Sequence, residues 1–65
     1  MKRVDIKLYT GTSEITIPNV DESTARNIAE DFQAGRVFTY GGLDGVTYFI
    51  RTAHLAAMRL EEFMP

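Results

Sequence analysis

Residues 21–35, DESTARNIAEDFQAG, carry a helical signature with both a start and a stop, and the rest of the chain is read around them. Ala25, Ile28, Ala29 and Phe32 fall at helical spacing and share one face. Glu22, Arg26, Asn27, Glu30, Asp31 and Gln33 take the opposite side. Asp21 is placed as the N-cap, its carboxylate accepting from an orphan N–H of the first turn. Asp21 and Glu22 also suit the positive end of the helix dipole. Gly35 can take the left-handed conformation that ends a helix. Glu22 with Arg26, and Arg26 with Glu30, are i,i+4 pairs. Phe32 is the expected aromatic anchor of the apolar face. None of these residues points to chemistry, so the helix is a structural element.

The segments on either side alternate at a period of two. In residues 2–9, Val4, Ile6 and Leu8 point one way, and Arg3, Asp5, Lys7 and Tyr9 the other. Residues 10–13, TGTS, make a short turn. Ile15 and Ile17 continue the alternation, which predicts a β-hairpin over residues 2–17. Pro18 and Asn19 are expected to end its second strand, because proline cannot donate to a ladder. Val20 is placed to pack on Ala25 as a hydrophobic staple. After the helix, residues 36–40 (RVFTY) and 46–51 (VTYFIR) are β-branched and aromatic. The turn GGLDG at 41–45 joins them into a second hairpin.

Residues 52–63 support two readings. As a helix, Ala53, Ala56, Ala57, Leu60, Phe63 and Met64 keep helical spacing, among good helix formers. As a strand, Ala56, Met58 and Leu60 face the core while Ala57, Arg59 and Glu61 face out. The run HLAAMRLEE at 54–62, following an aromatic–aliphatic strand, resembles the closing strand of small bacterial and bacteriophage α+β proteins. That resemblance implies a turn at 51–54 and a strand at 55–61. The expected architecture is therefore α+β, in the order β-β-α-β-β-β. It would be an antiparallel sheet with one helix packed on one face.

Composition bounds the function. Sixty-five residues make a single domain, residues 1–65. A chain this short buries only about 60% of the surface its unfolded form exposes. There is no cysteine for a disulfide framework and one histidine, too few for a zinc site. No metal and no cofactor are expected. The formal net charge is −2, which argues against nucleic acid as a partner. No apolar run approaches a membrane span of ~20 residues. The N-terminal MKRVDIKLY lacks a long apolar region, so a cytoplasmic location is expected.

The candidate chemical motifs have simple structural readings. Residues 41–45 lack the Lys-Ser/Thr of a phosphate-binding loop and open no helix, so they read as a hairpin turn. His54 has no nucleophile or acid at a diagnostic spacing and reads as a turn histidine. Glu61 with Glu62, and Glu30 with Asp31, read as solvated acids. No catalytic residue is assigned, and the chain is not expected to be an enzyme. The partner- or ligand-binding candidates are Tyr40, Leu43, Tyr48, Phe49, Arg51 and Arg59. Leu43 sits at a hairpin tip, where an apolar side chain could insert into a partner. Tyr9, Tyr40, Tyr48 and Phe49, with Lys7, Arg51 and Arg59, would form a stacking platform if they were gathered on one surface.

Apolar groups on both faces of the second hairpin imply a second cover beyond one helix. Val46, Tyr48 and Ile50 oppose Phe49, and Phe38 and Tyr40 oppose Val37. The expected function is thus a non-enzymatic, homo-oligomeric module that binds a protein or small ligand. Its size suits a phage-type inhibitor or sequestering protein. The alternative is a nucleotide or single-stranded nucleic-acid binder.

Overall fold

Asp21 closes the first hairpin and opens the helix, so the N-cap is also the hinge between them. The structure, a computed structural model, describes residues 2–42 and 45–64. β1 spans Arg3–Tyr9 and β2 spans Glu14–Asp21. α1 follows at Glu22–Ala34, then β3 at Val37–Gly41 and β4 at Thr47–Arg51. A short 3-10 turn at Thr52–His54 leads into β5 at Ala57–Glu62. The order β-β-α-β-β-β is the one the sequence implies.

The strands divide into two antiparallel sheets rather than one. β1 is central in a sheet ordered β2-β1-β5, and β3 and β4 form a separate two-stranded ribbon. The closing segment is a strand, as the resemblance implied. Its helical spacing is overridden because β1 offers an open edge. The Ala56 N–H donates to Tyr9 O at 2.7 Å, and the Phe63 N–H to Arg3 O at 3.0 Å.

Pro18 and Asn19 do not end the second strand. Ile6 pairs with Ile17 and Val4 with Val20, so the two residues together face Asp5 alone. This is a β-bulge, a position where the missing proline N–H costs no ladder bond. Asn19 takes a left-handed φ of 55°, which asparagine tolerates better than most residues. Its N–H donates to Asp5 Oδ1 at 2.9 Å. Arg3 donates from Nε to Asn19 Oδ1 at 2.8 Å and from a terminal nitrogen to Asn19 O at 2.7 Å. Three polar groups thus fix the bulge and carry β2 on to the helix cap.

The helix ends are built as the sequence predicts. Asp21 accepts from the Thr24 N–H at 3.3 Å and from the Ser23 hydroxyl. Gly35 is left-handed at φ 72°, its N–H donates to Phe32 O, and the Arg36 N–H donates to Asp31 O. Those two bonds make a Schellman motif. Arg36 Nε also meets Asp31 Oδ1 at 2.9 Å, so an ion pair ties the chain past the cap back to the last turn. Of the two i,i+4 pairs, Glu22 with Arg26 lies at 3.7 Å.

The Ser23 hydroxyl, and secondarily the Thr24 N–H, hold the Asp21 carboxyl below its ordinary value of 3.8. A depressed acid stabilises the fold above that value, and the stabilisation is lost as pH falls through the native-state value. Asp21→Ala is expected to lower the melting temperature by about 4–8 °C at neutral pH. The difference from wild type should shrink in acid. A difference that stayed constant down to pH ~2 would count against the cap.

The core lies between the inner face of the three-stranded sheet, α1 and the ribbon. It contains Val4, Ile6, Leu8, Ile17, Val20, Ala25, Ile28, Phe38 and Ile50. Val20 and Ala25 are both fully buried in it, as the staple requires. Phe32 departs from expectation, because it is only half-buried and lies outside this cluster. Phe38 is the buried aromatic instead, placed there by the ribbon.

The ribbon also supplies much of the second cover that the alternation of its strands requires. With β3–β4 forming its own sheet, Phe38 and Ile50 turn inward onto the common core within one chain. Thr52, itself buried, pins the ribbon's far end, its hydroxyl donating to Arg36 O at 2.6 Å.

Candidate partner-binding surface

The alternation along β3 and β4 sends two sets of side chains to two destinations. Phe38 pairs with Ile50 and Tyr40 with Tyr48, all on the inner face. Tyr40 and Tyr48 are half-buried against the core, so these two candidates are anchors of the ribbon rather than open contacts. Val37 pairs with Arg51 and Thr39 with Phe49 on the outer face. There Phe49 is 76% exposed and Val37 64% exposed. As diagonal neighbours across the ribbon they are within reach of one another. Arg51 borders them and is exposed as well. Leu43, the fourth ribbon candidate, lies outside the described residues.

Arg59 stands on a different surface, the outer face of the three-stranded sheet. Its guanidinium lies 5.7 Å from the centre of the Tyr9 ring and 2.7 Å from Glu61 Oε2. Lys7 on the same face donates to Thr16 Oγ1 at 3.1 Å and approaches Glu14 at 4.0 Å. Partial burial raises the Tyr9 phenol above its ordinary value of 10.0; Arg59 opposes this and Glu14 adds to it. This face is polar and internally paired.

The stacking platform is therefore not assembled. Its aromatic and basic members are shared among the outer sheet face, the core and the outer ribbon face. His54 is exposed at the end of the 3-10 turn. No pocket opens among the described residues, and no group of three or more His, Cys, Asp or Glu is gathered there. No helix among the described residues is long and apolar enough to cross a membrane.

Phe49 and Arg51 are among the sequence candidates, whereas Val37, their neighbour, is placed by alternation on the face opposite Phe38 and Tyr40 without being one of them. Leu60 is not among them either; it is 39% exposed although its cross-strand partner Ile6 is fully buried. No family model, curated protein or solved structure matches the chain.

Proposed function

We propose that the chain is a non-enzymatic interaction module that self-associates and binds a protein or small ligand. The observation that supports the binding surface is that exposed Phe49 and exposed Val37 are diagonal neighbours on the outside of the ribbon. A large aromatic held on a strand loses little conformational freedom when it is covered, which makes it an efficient contact. Arg51 at the border favours a partner that is apolar at its centre and carries a carboxylate at its rim. The polar outer face of the three-stranded sheet offers no comparable apolar area.

The test uses an apolar anilinonaphthalene dye as the probe. Wild-type protein under native conditions should bind it, and Phe49→Glu should lose that binding while keeping its melting temperature. Phe49 makes too little buried contact for the substitution to unfold the chain. Undiminished dye binding by Phe49→Glu would show that the ribbon face is not the contact surface. Light scattering at micromolar concentration tests the other half of the reading, with a mass of at least two chains expected.

A further inference from the structure

The self-association just proposed needs an interface, and β5 carries charges that its neighbour in the chain does not match. In the register of β1 and β5, Lys7 stands directly opposite Arg59, and Asp5 directly opposite Glu61. Like charges directly opposed across strands are destabilising. Lys7 turns away to Thr16 and Glu14, and Asp5 to the Asn19 N–H. Arg59 and Glu61 are left to pair with each other along their own strand.

The other edge of β5 is open among the described residues, because β5 is the outermost strand of its sheet. The Phe63 N–H bonds Arg3 O, which makes that pair a hydrogen-bonded one. Such pairs alternate along an antiparallel ladder. Asp5 with Glu61 and Lys7 with Arg59 are then hydrogen-bonded pairs too. Met58, Leu60 and Glu62 consequently aim their N–H and C=O groups at the open edge.

We infer that β5 pairs antiparallel with β5 of a second copy, about a two-fold axis through Leu60. The inference rests on the self-association reading and names its interface. About that axis Leu60 meets Leu60 of the other copy, and Met58 meets Glu62. Both are hydrogen-bonded pairs. Between them Arg59 meets Glu61 of the other copy twice over, in the non-hydrogen-bonded position where side chains approach most closely. Charges on an edge strand ordinarily prevent pairing. Here they are two residues apart and opposite in sign, so the strand is complementary to itself. The exposed Leu60 is covered in the same step, because it lies on the core side of the sheet at the seam. The open edge of β4 has no such match: centred on Phe49, it would set Arg51 against Thr47.

The test is sedimentation equilibrium on four samples: wild type, Arg59→Glu, Glu61→Arg, and an equimolar mixture of the two variants. Wild type should sediment as two chains. Each variant alone sets like charges against each other twice, which should weaken the dimer at least about tenfold. The mixture restores both opposite pairs and should return to two chains. Two-chain mass in both separate variants, with a single-chain mass in Phe49→Glu, would move the interface to the ribbon. That result would overturn this inference and leave self-association standing. A single-chain mass for wild type at every concentration would overturn both. Should the charge variants fail to fold, Leu60→Cys decides. The chain has no cysteine of its own, and hydrogen-bonded pairs sit about 5.5 Å apart between Cα atoms, within disulfide reach. Mild oxidation should cross-link Leu60→Cys and leave Phe49→Cys uncrosslinked. The reverse outcome would overturn the inference.

Discussion

Phe38→Ala is expected to cost about 3–5 kcal/mol and to leave little folded protein. Domains below ~70–80 residues rarely hold more than about 3–5 kcal/mol in total. Phe38 is the buried aromatic of β3, and its cross-strand partner Ile50 is buried with it. These two side chains join the ribbon to the core of the three-stranded sheet. Removing the larger one leaves a cavity at the junction of three elements, where no single element can move to fill it. Phe32→Ala is the informative control. Phe32 is half-buried and outside the core cluster, so its truncation should cost roughly half as much. Urea denaturation of both variants measures the difference. If Phe32→Ala proves the more damaging of the two, the helix rather than the ribbon anchors the core.

That contrast shows where the sequence was legible. Local chemistry was read correctly wherever a few adjacent residues decide the outcome. The Asp21 cap, the left-handed Gly35 and the Val20–Ala25 staple depend on neighbours within a few positions. So do the two hairpins. Pro18 lacks the N–H that a ladder needs, and from the sequence alone that reads as the end of a strand. Whether proline ends a strand or sits in a bulge depends on Asp5 and Arg3, more than ten residues away, which hold Asn19 in place.

Burial of the aromatics was less legible for the same reason. Periodicity assigns Phe32 to the apolar face of its helix, but it cannot say how far the sheet extends beneath that face. Nor could alternation reveal that five strands divide into two sheets. Read as one sheet, the second hairpin needs a second cover beyond the helix. Read as a separate ribbon, it covers the core with Phe38 and Ile50 and leaves Phe49 and Val37 on its outer face. The candidate residues were thus half legible in placement: Phe49 and Arg51 lie on the outer face, while Tyr40 and Tyr48 face inward.

Ile6→Ala should be comparably severe, at about 2–5 kcal/mol, because of where β1 lies. β1 is the central strand of its sheet, with β2 on one side and β5 on the other. Ile6 is fully buried and stands between Ile17 and Leu60 across the two ladders. Its side chain is enclosed by neighbours that the backbone ladders hold at fixed spacing. Those ladders do not depend on the side chain, so the strands cannot close over the space that Ala leaves. The cost is therefore a cavity cost rather than a loss of pairing. Ile6→Val removes one methylene and should cost only about 0.5–1.5 kcal/mol, with the fold retained. The ratio between the two substitutions is the diagnostic quantity. A residue on an edge strand would relax after either change, and the two would converge. If urea midpoints for Ile6→Ala and Ile6→Val coincide, Ile6 is not at the centre of the core, and the order β2-β1-β5 is wrong.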